Sequence, residues 1–138
     1  MNILKVLTDK RKTGNAGEDA AAKFLISKKY KILERNYVAH GHEIDIIAED
    51  SDTMVFIEVK TRTVGRENPR EPRPASSVTR KKQQDIIKTA SFYFAYHPKG
   101  KRARFDVIEV FLRDDGRQTV DRIVHLENTF NKNTAYGR

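Results

Sequence analysis

The chain has 138 residues, 38% hydrophobic and 33% charged, which suits one soluble domain with a real core and leaves little room for two. Its formal net charge of +8 favours a polyanionic partner, nucleic acid before an anionic membrane. The absence of cysteine excludes disulfides, thiolate zinc sites and cysteine nucleophiles.

No run approaches the roughly 18 apolar residues of a membrane span. The opening Met1–Leu7 lacks a charged segment followed by a long apolar one, so no signal peptide is expected. The expectation is a cytoplasmic protein without membrane association.

Residues 1–13 read as a basic N-terminal tail carrying Lys5, Lys10, Arg11 and Lys12. A helix starts near Asn15, a good N-cap, with Glu18 three residues later as in a capping box. Ala21, Phe24 and Leu25 follow at helical spacing, and Ser27-Lys28-Lys29 closes the helix with basic charge. Gly17, a poor helix former, points to close backbone packing beside Glu18. Tyr30–Val38 reads as a strand, and Ala39-His40-Gly41-His42 as a turn.

Two apolar runs come next, Glu43–Glu49 and Met54–Lys60, separated by the turn residues Asp50-Ser51-Asp52-Thr53. An even loop pairs Glu49 with Met54, Ile47 with Phe56, Asp45 with Glu58 and Glu43 with Lys60, all on one face. Ile44, Ile46, Val55, Ile57 and Val59 form an apolar opposite face. Facing carboxylates are destabilising at such close range. A bound Mg²⁺ or Mn²⁺ explains them most simply. The alternative is a cross-strand ion network, in which Glu43 takes Lys60 while Asp45 and Glu58 take Arg62, Arg104 or water.

Residues 63–77 form a basic loop with Pro69, Pro72 and Pro74 among Arg66, Arg70 and Arg73. A helix over Val78–Tyr96 presents Ile86, Ile87, Ala90, Tyr93 and Phe94 on its apolar face. Strands at Arg104–Phe111 and Val120–Leu126 complete the chain, with a loose C-terminal tail over 129–138. The order of elements predicts one α/β domain spanning 1–138, a central mixed sheet of about five strands flanked by helices.

A basic protein with two carboxylates and a lysine on one hairpin holds the parts for metal-dependent phosphodiester hydrolysis. Asp45 and Glu58 are candidate metal ligands, the Val59 carbonyl a further oxygen donor, and Lys60 the group that positions the water. Glu18 is a candidate third acid, with helix capping as its alternative. Lys82 and Gln83, with Arg62 and Arg66, are candidates to hold a phosphate backbone; a solvated basic face is the equal alternative. His42 reads as an exposed turn histidine or a DNA contact, since too few ligands exist for zinc. Asp106 reads as a structural partner of Arg104. Tyr93, Phe94 and Tyr96 read as core and rim and not as a stacking platform.

Gly14-Asn15-Ala16-Gly17-Glu18, Arg35-Asn36-Tyr37, Gly41-His42-Glu43-Ile44-Asp45-Ile46-Ile47, Val55–Arg62, Lys82-Gln83 and Arg104-Phe105-Asp106-Val107 resemble the bacterial YraN-like proteins. The likeness spans roughly Gly14 to Phe130, and His42 stands where the family pattern usually has glycine. That family is similar to the restriction-endonuclease-like (PD-(D/E)xK) nucleases, including archaeal Holliday-junction resolvases. The resemblance implies a restriction-endonuclease-like sheet with flanking helices. It also implies a helix-borne acid, Glu18, beside Asp45, Glu58 and Lys60. The expected function is a Mg²⁺-dependent nuclease, with Mn²⁺ as substitute, acting on DNA and on branched DNA in particular. A homodimer is compatible, because related resolvases cut two strands symmetrically. The alternatives are a nucleic-acid-binding module of nuclease fold without efficient cleavage, and a protein-interaction scaffold. The scaffold leaves the basic loop and facing acids unexplained.

Overall fold

Ala16, Ala20, Ala21, Ala22 and Leu25 give the first helix strong formers on one stripe. In the computed structural model, which describes residues 15–65, 78–97 and 102–137, this is helix α1, Ala16–Ser27. It buries Gly17, Ala21, Ala22 and Leu25 against the sheet. Lys29, at φ 71°, takes the left-handed conformation that ends many helices.

Five strands follow in spatial order: β1 (Lys31–Ala39), β2 (His42–Asp50), β3 (Thr53–Thr63), β4 (Arg102–Leu112) and β5 (Val120–Phe130). All neighbours are antiparallel except β3 and β4. A parallel pair needs a crossover, and helix α2, Arg80–Tyr96, provides it. A short helix α3, Lys132–Tyr136, ends the fold. The predicted α/β class and mixed five-stranded sheet are therefore present. Among the described residues no helix is long and apolar enough to cross a membrane. The N-terminal tail and residues 66–77 of the basic loop lie outside the described residues.

Two tight turns set the register of β1–β3. His40 and Gly41, at φ 53° and 79°, make the positive-φ pair that suits strand twist in a two-residue loop. Ser51 and Asp52 close the second hairpin between the paired Asp50 and Thr53. The even loop gives the expected register for Glu49 opposite Met54 and Ile47 opposite Phe56, but the ladder ends at Ile46–Ile57, so the expected pairs Asp45–Glu58 and Glu43–Lys60 do not form.

The two sheet faces have separate cores. Ile46, Ala48, Val55, Ile57, Ile108 and Val110 pack under α1. Ile47, Met54, Phe56, Phe105 and Val107 pack with Ile86, Ile87, Ala90 and Tyr93 of α2. Strict alternation puts Ile44 with Ile46, yet Ile44 joins Ile47 and Phe56 on the α2 side. The alternation breaks at Asp45. Asn36, which lies across from it between the pairs Arg35–Ile46 and Tyr37–Ile44, has φ 55°.

The C-terminal segment departs from expectation. In place of a loose tail over 129–138, β5 continues to Phe130 and α3 follows. Phe130 stacks on Phe105 at 5.2 Å and is 1% exposed. Asn131 and Thr134 form a capping box. Thr134 Oγ1 donates to Gln83 Oε1 at 2.7 Å, Gln84 Nε2 donates to the Ala135 carbonyl at 2.8 Å, and Arg80 donates to the Gly137 carbonyl. A five-residue helix has no stability of its own. Docking on α2 orders it, and docking leaves no periodic signal in the sequence.

Candidate active site

The site begins with a close approach. A Cβ on Gly17 would stand 1.9 Å from Thr61 Oγ1, so only glycine lets α1 lie this near β3. The next residue is Glu18. The local signal predicted a capping box, but Asn15 makes no side-chain cap. Glu18 instead accepts from Asn36 Nδ2 at 3.2 Å, with Arg35 Nη2 at 3.8 Å. Arg35 is braced in turn by Asp19 at 2.7 Å. Tertiary partners have displaced the local one.

Asp45 stands where β2 and β3 stop pairing. The last ladder pair on this side is Ile46–Ile57, and beyond it the Val59 N–H donates to Asp45 Oδ2 at 2.8 Å. The carboxylate thus takes the place of a ladder carbonyl. Glu58, 9% exposed, follows on β3, with Lys60 Nζ 3.8 Å from its Oε1.

These acids share one electrostatic problem. Burial pushes Glu18 up to about 7, and the neighbouring Asp45 charge adds to it against the pull of Arg35. Burial also pushes Glu58 up to about 7, again with the Asp45 charge, against Lys82 and Lys60. Asp45 is raised by burial, partly offset by the Val59 N–H. Glu18 and Asp45 are hydrogen-bonded to each other. Burial and the neighbouring negative charge both favour the protonated form of Glu18.

The donor set is hard oxygen, which fits Mg²⁺ or Mn²⁺ in chemistry. Among the described residues, no three Asp, Glu or His side chains converge tightly enough to ligate one ion as they stand. The pair that meets is Glu18 and Asp45. The cations acting on Asp45 and Glu58 are Lys82 and Lys60. Arg62 donates to Glu109 at 2.8 Å, Arg104 to Asp106 at 2.9 Å, and Lys60 lies beside Glu58, so these pairs differ from the ones weighed from the sequence.

The candidate phosphate contacts divide. Lys82 reaches the acid cluster from the first turn of α2, behind the N-cap Thr79. Gln83 is buried, its amide donating to the Val78 carbonyl at 2.9 Å and accepting from Thr134. It holds the start of α2 in place. Arg62 is mostly buried along β3. His42 Nδ1 lies 3.6 Å from Asp85 Oδ2 at the start of β2. Arg66 lies outside the described residues. Asp106 is fully buried, gripped by both arms of Arg104, His125 Nε2 and the Asn128 N–H, as a structural anchor should be. Asn36 and Arg35 were not foreseen as site residues. Their signal was two polar residues inside a strand.

Sheet, crossover helix and carboxylate cluster together define a mixed-sheet α/β protein with its acids at the point where β2 and β3 part. The family model of the uncharacterised protein family UPF0102 matches residues 17–110, which include Glu18, Asp45, Glu58, Lys60 and Lys82. The chain is 42% identical over 120 residues to the UPF0102 protein of Chlorobium phaeobacteroides, covering 85% of this chain and 92% of that one. It is 40% identical over 123 residues to that of Caldanaerobacter subterraneus, covering 88% and 97%. It is 43% identical over 121 residues to that of Chlorobaculum parvum, covering 85% and 90%. The chain belongs to the UPF0102 family, the YraN-like family that its motifs resemble.

Proposed function

We propose that the protein is a Mg²⁺-dependent nuclease, with Mn²⁺ as substitute, that hydrolyses phosphodiester bonds in DNA, structured or branched DNA in particular. The observation that carries this reading is the cluster of Glu18, Asp45 and Glu58, two of them pushed up to about 7 by burial and the charge of the third. A bound cation would remove that repulsion. Glu18, Asp45, Glu58 and the Val59 carbonyl would hold it. When bound, such an ion activates water and offsets charge on the phosphate.

The chain's own groups do the rest. Lys60, beside Glu58, positions the attacking water and steadies developing negative charge. Lys82 brings a second positive charge to the same place, suited to the phosphate. Asn36 and Arg35 fix Glu18 on the helix side. The resemblance to restriction-endonuclease-like proteins supports the same assignment by analogy. The reading places the protein in the cytoplasm with DNA as partner, and a homodimer suits symmetric cutting of two strands.

One observation favours a second reading, a nucleic-acid-binding module that keeps the fold without efficient cleavage: no three described acids converge as they stand. Incubation with linear, single-stranded and four-way-junction DNA in Mg²⁺, Mn²⁺ or EDTA, alongside Asp45→Ala, separates the two. Metal-dependent cutting that disappears in Asp45→Ala supports the nuclease. DNA binding without cutting on any substrate supports the binder.

A further inference from the structure

A cleft of about 730 Å³ opens between the β1–β2 turn, helix α2 and helix α3. Two of the elements that wall it, β2 and α2, also carry residues of the site. His42, in its wall, is three residues from Asp45, about 10 Å along the strand. Asp85, whose Oδ2 lies 3.6 Å from His42 Nδ1, is one helical turn from Lys82.

The lining has two properties. It is cationic: Lys88 and Lys132 contribute, and no acid is among the described lining residues. It is also aromatic. The His40 and Phe92 rings meet edge to face at 4.8 Å, and Phe92 lies 5.0 Å from Tyr96. Phe92 is half-buried in the wall, Tyr136, across the cleft on α3, is 49% exposed, and Tyr96, next to Phe92 but outside the lining, is 70% exposed. Rings placed to build a core are buried, like Tyr93 at 3%. The bonds from Arg80, Gln83 and Gln84 to α3 hold Tyr136 and Lys132 in position.

We infer that this cleft is a subsite for an unpaired stretch of nucleic acid, with bases stacking on Phe92 and Tyr136 and phosphates meeting Lys88 and Lys132. Exposed rings interleaved with lysines are what single strands bind, because every base has a stackable face and every phosphate a charge. A duplex hides its bases and satisfies only the lysines. The inference rests on the nuclease reading and deepens it. The substrate then has a single-stranded arm or splayed strand beside the bond presented to Asp45.

The test is fluorescence anisotropy in EDTA with a labelled oligothymidine, an abasic strand of equal length, a blunt duplex and an oligoglutamate peptide. The oligothymidine is expected to bind more tightly than the other three. Phe92→Ala and Tyr136→Ala each weaken it by about fivefold or more, while Phe92→Tyr retains binding. Lys88→Glu, an exposed change that leaves the core alone, also weakens it. Equal binding of oligothymidine and abasic strand, tightest binding of the peptide, or unchanged affinity in folded Phe92→Ala and Lys88→Glu would overturn the inference. Cutting is read separately. Failure of the subsite leaves Asp45-dependent cleavage standing, and failure of cleavage leaves the stacking result standing.

Discussion

Gly17 and Thr61 touch so closely that the hydroxyl of one fills the space where the other's side chain would be. This contact sets the height of α1 above β3 and so the reach of Glu18. Gly17→Ala forces the helix outward, at a cost of roughly 1–3 kcal/mol. A lower melting temperature together with weaker Mg²⁺-induced stabilisation is expected. Thr61→Ser relieves little, because the oxygen remains. Thr61→Ala in the Gly17→Ala background should recover much of the loss.

Asp45→Asn keeps an acceptor for the Val59 N–H and removes the charge that raises Glu18 and Glu58. Cleavage is expected to fall by roughly a thousandfold. In cation-free buffer at neutral pH the same variant should be as stable as the wild type or more so. Thermal melts in EDTA and in Mg²⁺ check both statements. A variant that loses stability in EDTA contradicts the repulsion described for this cluster.

Glu18 and Glu58 titrate near 7 in the folded chain and near 4.5 when unfolded. Between those values the native state holds more protons, so stability falls as pH rises from about 5 to about 7. The loss is on the order of 2–3 kcal/mol for the buried Glu58. Asp85 and Asp106 are held below the usual carboxylate range by their cationic partners. Their contribution is lost only under more acidic conditions, outside this window. Urea unfolding at pH 5 and pH 8 in EDTA measures the slope, and Mg²⁺ should restore stability at pH 8 but not at pH 5. A flat or rising profile in EDTA sinks the idea.

Asn36 combines a left-handed backbone with a bond to Glu18. Asn36→Gly keeps the backbone and drops the bond. Asn36→Ala drops both and adds about 1–2 kcal/mol of strain. The two variants should lose comparable activity, while only Asn36→Ala loses much stability. If the glycine variant is fully active, Asn36 serves the chain's path and not Glu18.

Asp106 is fully buried between Arg104 and His125, and its bonds go to these two and to the Asn128 N–H. Asp106→Ala leaves Arg104 short of its partner and should cost about 3–5 kcal/mol. Below its lowered melting temperature the variant should still bind and cut DNA. Loss of cutting in a fully folded variant would assign Asp106 a part in the chemistry.

The hairpin that carries Asp45 and Glu58 was legible because local rules decided it. An even turn fixed the register, and alternating Val, Ile and Phe fixed the strands. Gly17 was legible for the same reason, as a helix breaker inside a helix. Asn15 and Glu18 misled, since a capping box is a local pattern and the winning partners of Glu18, Asn36 and Asp45, are distant in sequence. The crossing of Ile44 to the α2 face was hidden too, because it depends on the left-handed turn at Asn36 and not on any pattern in β2. The C-terminal helix has five residues, below the length at which periodicity can speak.

Gln83 grips α3 through Thr134, and its immediate neighbour is Lys82, whose charge acts on Asp45 and Glu58. The last turn of the chain is therefore a brace for the first turn of α2. Trimming the protein after Phe130 would strip Gln83 of a buried partner and loosen the helix end that carries Lys82. Damage inflicted at the C-terminus would be felt as a defect in the acid cluster, far from the cut in sequence and two elements away in the fold.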